Sequence, residues 1–133
     1  MPGQYFASHR PIDDEYVELL RENQDRDPVH LTFIIKEIEH IKKSYPDIEL
    51  FAVSDSEFHQ TIPLTAKRYA LPRDINKKYG VAKIGYHGLA LSSIVRTLSK
   101  SGDLEDRTIV CHLGSGASIT ALKNGESVET SMG

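Results

Sequence analysis

The sequence has little cysteine, no tryptophan and no long apolar run, and these shortages exclude whole classes of protein. Its single cysteine, Cys111, cannot form a disulfide within the chain, which excludes a small disulfide-stapled scaffold. Because Cys111 lies inside an apolar stretch, we expect a buried structural thiol rather than a nucleophile. No stretch approaches the roughly 18 apolar residues of a membrane-spanning helix, and no signal-peptide pattern opens the chain. We therefore expect a soluble, cytoplasmic protein with no membrane partner.

The chain also lacks a large excess of either positive or negative charge. The chain has 16 Lys and Arg against 19 Asp and Glu among 133 residues, a net charge of −3. This balance gives no electrostatic reason to expect nucleic acid as a partner, so any phosphate site must be local. The spacings typical of zinc sites, hydrolase nucleophile elbows, P-loops and Rossmann turns are also missing. The length suits one domain or a piece of a larger one.

The first third of the chain predicts two helices and one strand. Apolar residues recur at helical spacing from Pro11 to Asn23, and Asp27-Pro28 begins a second helix that Pro46 ends. The apolar run Ile48–Val53 follows as a strand, so the second helix and this strand form half of a βαβ unit. Nothing between Met1 and Gln24 has strand character, and we therefore expect the chain to begin in the middle of a larger fold.

The rest of the chain predicts short helices followed by a β-meander. The predicted helical segments are a turn at Lys67–Ala70, Arg73–Tyr79 ended by Gly80, and Leu91–Leu98 stopped near Gly102. Residues Thr108–Thr130 predict three strands, joined at Gly114-Ser115-Gly116 and at Asn124-Gly125.

Three residues stand out as candidates for chemistry. Asp55 follows the predicted strand Ile48–Val53, where ligands bind in open α/β sheets, and it could hold Mg²⁺ through water. The alternative is an Asp that caps a turn or helix. His87 lies between Gly85 and Gly88, which suggests a tight turn at a ligand, although the pattern alone favours a loop histidine satisfied by the backbone.

His112 lies two residues before the Gly114-Ser115-Gly116 turn. Glycine has no Cβ and tolerates positive φ, so such a turn lets backbone N–H groups approach an anion. His112 could place a positive charge beside the same anion. The alternatives are a turn that only connects strands and a histidine packed on the sheet.

Six motifs together resemble the acetate kinase family, a member of the acetate and sugar kinase/actin-like superfamily. They match it in order and spacing from Ser54 to the last residue, whereas residues 1–53 match only in helix placement. The motifs are Phe58–Pro63, Tyr69–Pro72, Lys78–Gly80, Gly85–Gly88, Cys111–Ser118 and Lys123–Gly133.

The resemblance implies transfer of the γ-phosphoryl group of ATP to a short-chain carboxylate, with Mg²⁺, to give an acyl phosphate and ADP. It implies an active-site aspartate beside the metal at Asp55, bound through water, and a transition-state-stabilising histidine at His87. Phosphate-holding positions fall at His112, Gly114, Ser115 and Gly116, and substrate-side positions at Tyr86, Val29 and His30.

The implied fold is α/β: part of an actin-like ATPase (ribonuclease H-like) fold, with helices on a small mixed sheet and a C-terminal β-meander. Residues 1–55 would end a first domain and residues 56–133 would start a second.

The family's opening phosphate turn and both of its substrate arginines have no counterpart, and Leu91 replaces a second histidine. We therefore expect an internal fragment that is inactive alone. The alternative is a degenerate, non-catalytic kinase module that binds a partner or weakly binds phosphate. An exposed sheet edge could give a homo-oligomer.

Overall fold

Helices and small sheets make up the protein, as the predicted α/β class requires. The structure is a computed structural model and describes residues 6–133. The chain divides into two compact units, one ending at Val53 and one beginning at Ser54. Asp55 therefore belongs to the second unit, whereas the sequence-based boundary assigned it to the first.

Two helices, α1 at Asp14–Glu22 and α2 at Pro28–Ser44, dominate the first unit. The Asp13 carboxylate accepts a hydrogen bond from the backbone N–H of Tyr16 and so begins α1, three residues later than Pro11 suggested. The predicted start of α2 at Asp27-Pro28 is confirmed, because Asp27 caps the helix and Pro28 occupies its first turn. A short 3₁₀ turn, Gln24–Arg26, joins the two helices.

The strands of the first unit differ from the prediction. Strand β1, Arg10–Pro11, pairs antiparallel with β2, Phe51–Ala52, and the N–H of Ile12 extends the ladder to the Leu50 carbonyl at 2.8 Å. The predicted strand Ile48–Val53 is thus reduced to two residues, and the expectation of no strand before Gln24 is wrong. The two strands pair antiparallel, whereas a βαβ unit requires parallel strands. Their backbone pairing, rather than an apolar sequence pattern, defines them.

One apolar cluster forms the core of the first unit. Its members come from the inward faces of α1 and α2 and from the segment before β1. They are Phe6, Tyr16, Val17, Leu20, Leu31, Ile35 and Ile38. The rings of Phe6 and Tyr16 meet edge to face at 5.8 Å, and burial raises the pKa of the Tyr16 hydroxyl.

Three helices precede the meander in the second unit: α3 at Leu64–Lys67, α4 at Arg73–Tyr79 and α5 at Gly88–Ser101. The predicted turn at Lys67–Ala70 lies earlier, because the Pro63 carbonyl accepts from the N–H groups of Ala66 and Lys67 at 2.9 and 3.0 Å. The ends of α4 and α5 are confirmed, since Gly80 and Gly102 adopt the left-handed conformation there.

The predicted β-meander is confirmed as an antiparallel sheet of β3 (Arg107–Leu113), β4 (Ala117–Lys123) and β5 (Glu126–Thr130). The turn between β4 and β5 places Asn124 and Gly125 at φ 51° and 79°, the geometry that favours Asn-Gly in hairpins. All pairings between named strands of residues 6–133 are antiparallel, where a mixed sheet was expected.

The two faces of this meander differ sharply. Val110 and Leu122 face inward and pack with Leu91 of α5. Ile109, Cys111 and Leu113 face outward, so the expectation that Cys111 is buried is wrong. Side chains along a strand alternate between its two faces, so an inward-facing Val110 places the side chains of Ile109 and Cys111 on the outer face. Among the described residues, no helix is long and apolar enough to span a membrane.

Candidate functional site

Two of the predicted histidines lie against each other in the second unit. The rings of His87 and His112 stack with centroids 4.1 Å apart and planes at 21°. His112 lies on β3 opposite Ser118 on β4, and the Ser118 hydroxyl is 2.9 Å from Nδ1 of His87. The meander and the start of α5 therefore combine to position both imidazoles.

Asp55 secures the start of α5. Its two carboxylate oxygens accept hydrogen bonds from the backbone N–H groups of His87 at 2.7 Å and Leu89 at 3.0 Å. Its own carbonyl accepts from the N–H of Gly88 at 2.9 Å. A carboxylate at the positive end of a helix is favourable. Asp55 thus has the capping geometry that sequence reasoning kept as an alternative, and through it controls the backbone of His87.

The backbone of His87 is unusual for a residue with a side chain. Its φ of 64° lies in the left-handed region, which costs a non-glycine residue about 1–3 kcal/mol unless neighbours enforce it. The bond from its N–H to Asp55 enforces it here. At Gly88 a Cβ would overlap the Asp55 carbonyl, so glycine is required for this close approach.

The Gly114-Ser115-Gly116 turn meets the same histidine. A Cβ on Gly116 would lie 3.2 Å from Nε2 of His87, tighter than nearly all ordinary contacts. The turn is closed by a bond from the N–H of Gly114 to the Gly116 carbonyl at 3.0 Å. Neither glycine has positive φ. The predicted role of positive φ is therefore wrong, and glycine at position 116 instead makes room for the imidazole.

His59, to which sequence reasoning gave no role, holds the loop that precedes His87. It is completely buried, with Nε2 2.9 Å from the Tyr86 carbonyl and Nδ1 2.8 Å from the Ser127 hydroxyl. Because a carbonyl only accepts, Nε2 carries the proton and Nδ1 accepts from Ser127. Burial lowers the pKa of His59. Gly85, at φ 81°, lies against the His59 ring, so the loop before His87 packs directly on this histidine.

The predicted substrate-side residues are distributed over both units. Tyr86 is half-buried in the second unit, in the loop that His59 holds. Val29 and His30 belong to the first unit and are exposed on the first turn of α2. There Nδ1 of His30 lies 2.7 Å from the Asp27 carboxylate, and this hydrogen bond lowers the pKa of Asp27.

The Asp55 carboxylate suits a hydrated Mg²⁺ better than a bare ion. Among residues 6–133, no group of three or more His, Cys, Asp or Glu side chains is arranged to hold a metal. Two backbone N–H groups use part of the carboxylate's acceptor capacity, and the remaining lone pairs can accept from water. Mg²⁺ keeps several water ligands in most protein sites, so a contact through water fits this residue.

Comparison with known proteins places this geometry in a family. Residues 2–133 match the profile of the acetokinase family. The chain is 40% identical over 134 residues to an acetate kinase of Lachnoclostridium phytofermentans and 39% identical to that of Clostridioides difficile. Each match covers 98% of this chain and 34% of the relative.

Solved structures agree with these sequence matches. A propionate kinase from Francisella tularensis gives a TM-score of 0.84, and an acetate kinase from Entamoeba histolytica gives 0.85, each at 32% identity. Both matches cover all of this chain and 35% of the other, so the predicted fold of the superfamily is confirmed. The chain spans about a third of the length of the relatives it matches, and it belongs to the acetokinase family.

Proposed function

We propose that this chain forms the phosphate-binding side of an acetate-kinase-type phosphotransferase. The reaction would transfer the γ-phosphoryl group of ATP to a short-chain carboxylate in the cytoplasm. The observation that carries the proposal is the stack of His87 on His112 beside the Gly114-Ser115-Gly116 turn. Phosphoryl transfer depends chiefly on positioning and on stabilising charge, and this cluster offers groups for both.

The electrostatic argument is local. The chain as a whole is acidic, so a polyphosphate gains nothing from its overall charge. The His112 backbone is paired in the sheet, but its ring makes no hydrogen bond within residues 6–133, so the ring nitrogens are available to an anion. Ser115 and Gly114 are exposed at the tip of the turn, where they can approach a phosphate group.

Asp55 would act at the same place through two contacts. Its carboxylate fixes His87, and its remaining lone pairs would orient water bound to Mg²⁺. The metal, when bound, would neutralise charge on the phosphate oxygens. Tyr86 would line the carboxylate pocket, and the likeness to the family also implies substrate contacts for Val29 and His30.

A binding experiment tests the proposal. We expect calorimetric titration with Mg·ATP to give heat at millimolar nucleotide, and the His112→Ala variant to lose it. His40→Ala is the matched control, because His40 is an exposed histidine of α2 in the first unit. If the wild type gives no heat, or if both variants behave alike, the chain is better described as a non-catalytic module.

A turnover assay addresses the rest of the proposal. Since the chain covers only a third of its relatives, we expect it to produce negligible acyl phosphate from ATP, Mg²⁺ and acetate. Acyl phosphate is trapped as a hydroxamate and measured by its colour with iron. Turnover close to that of a full-length acetate kinase would show that the two thirds of the relatives outside the match are dispensable, contrary to this expectation.

A further inference from the structure

We infer that Ser118 is a positioning residue that fixes which nitrogen of the His87 imidazole carries the proton. The inference deepens the proposed function only in its last step, where the ligand of His87 is a phosphate. The tautomer itself follows from the hydrogen bonds of the chain and can be measured with no ligand present.

The first step is the burial of the Ser118 hydroxyl. Ser118 is 1% exposed, and within residues 6–133 its Oγ has one hydrogen-bond partner, Nδ1 of His87 at 2.9 Å. A buried hydroxyl that cannot donate its proton is costly. Donation from Ser118 Oγ to Nδ1 removes that cost, whereas donation from Nδ1 would leave the hydroxyl proton without an acceptor among residues 6–133. The favoured arrangement therefore has Ser118 as donor and Nδ1 as acceptor.

The second step is the consequence for the other nitrogen. When Nδ1 accepts, a neutral imidazole carries its proton on Nε2. Nε2 is the atom that approaches Gly116, because a Cβ there would lie 3.2 Å from it. A neutral His87 thus presents an N–H donor toward the Gly114-Ser115-Gly116 turn. In the opposite tautomer a lone pair would face this turn and repel a phosphate oxygen.

The ring also has little freedom to turn. Stacking on His112 fixes the plane of the His87 imidazole, and the bond to Ser118 selects one of the two flipped orientations of the ring in that plane. His112 and Ser118 are directly opposed on β3 and β4, so one hairpin sets both constraints. A ring flip would exchange Nδ1 for a carbon atom and break the bond to Ser118.

The same device occurs a second time in this unit. Ser127 Oγ lies 2.8 Å from Nδ1 of His59, while Nε2 of His59 meets the Tyr86 carbonyl. The carbonyl forces the proton onto Nε2 there, so the serine hydroxyl must donate to Nδ1. His59 and Ser127 are therefore an internal reference for the arrangement inferred at His87 and Ser118.

The test is NMR spectroscopy of the full chain labelled with ¹⁵N in histidine, at pH 9, where imidazoles are neutral. Long-range proton–nitrogen spectra show which nitrogen of each ring carries hydrogen. We expect His87 and His59 of the wild type to show protonated Nε2 and bare Nδ1. In Ser118→Ala, His87 should move toward the tautomer mixture of a solvent-exposed histidine side chain while His59 stays unchanged. Ser118→Thr, which keeps the hydroxyl, should restore the wild-type pattern of His87.

In this experiment the inference is overturned by a protonated Nδ1 at His87 in the wild type, or by unchanged His87 signals in Ser118→Ala. The wild-type spectrum decides even if Ser118→Ala does not fold, and the His59 signals report whether it has folded. Ser127→Ala is the matched control and should leave the His87 tautomer as it is.

A second measurement separates the tautomer from the proposed ligand. Inorganic phosphate is titrated into the wild type and Ser118→Ala while the His87 and His112 signals are followed. We expect phosphate to bind about three- to tenfold more weakly to the variant, the effect of one poorly directed hydrogen bond. If phosphate shifts neither histidine in the wild type, the proposed phosphate site fails while the tautomer result stands. Equal phosphate affinities in the two proteins would overturn the positioning role.

Discussion

Replacing Asp55 should destabilise the second unit in a graded way that depends on how many acceptors remain. In Asp55→Ala, the N–H groups of His87 and Leu89 both lose their side-chain acceptor. In Asp55→Asn, one oxygen remains, and the amide group cannot accept from the second N–H. The order of stability should therefore be wild type, then Asp55→Asn, then Asp55→Ala.

The size of the effect follows from two contributions. Loss of a helix cap costs about 0.5–2 kcal/mol, and loss of a negative charge at a helix N-terminus costs about 0.3–1 kcal/mol. We therefore expect Asp55→Ala to lower the free energy of unfolding by about 1–3 kcal/mol, and Asp55→Asn by about half as much. Local exchange of the Leu89 amide proton should accelerate about 10- to 100-fold in Asp55→Ala.

Urea unfolding followed by circular dichroism measures the first quantity, and amide hydrogen exchange measures the second. The control is Asp103→Ala, because Asp103 is an exposed acid of the same unit and should change stability by less than about 0.5 kcal/mol. The reasoning is refuted if Asp55→Ala matches Asp103→Ala in stability and leaves exchange at Leu89 unchanged. Asp55 would then contribute nothing to the start of α5.

Two further predictions concern His59 and the loop it supports. Because burial lowers the pKa of His59 below 6.5, the unfolded chain takes up the proton first, and stability should fall as pH drops below 6.5, by at most about 1.4 kcal/mol per pH unit. Chemical unfolding from pH 8 to 5 measures this, and the slope should persist in His40→Gln but shrink in His59→Gln. Gly85→Ala should cost about 2–4 kcal/mol in urea unfolding, because its Cβ overlaps the buried His59 ring at φ 81°. Gly102→Ala, at φ 79° with open space around its Cβ, should cost only about 1–2 kcal/mol; equal losses would contradict the overlap.

Features set by neighbouring residues were the most predictable from the sequence. Asp27-Pro28 fixes the start of α2, and Asn124-Gly125 fixes a hairpin, because each needs only its own backbone angles and caps. Strand β1 was missed because Arg10 and Pro11 carry no strand pattern and pair with residues some 40 positions away. Local propensity contains no information about such a partner.

Burial was predictable only up to a choice of face. Alternation along β3 divides its residues into two sets, and it does not say which set is covered. Cys111 was therefore assigned to the wrong side. The same alternation along β4 groups Ser118 with Leu122 on the inward face, and this was the available signal for Ser118. Its contact with His87 depends on the packing of α5, which no local pattern reports.

The hydrogen bonds of Asp55 also constrain where a phosphate could bind. A helix N-terminus is often an anion site, because its first N–H groups have no partner within the helix. At the start of α5 the N–H groups of His87, Gly88 and Leu89 all bond to Asp55. A phosphate there would have to displace a carboxylate and meet its negative charge. In the proposed site, the donors to a phosphate would therefore be the two stacked imidazoles and the turn ending at Gly116, and the inferred Nε2–H of His87 would be one of them.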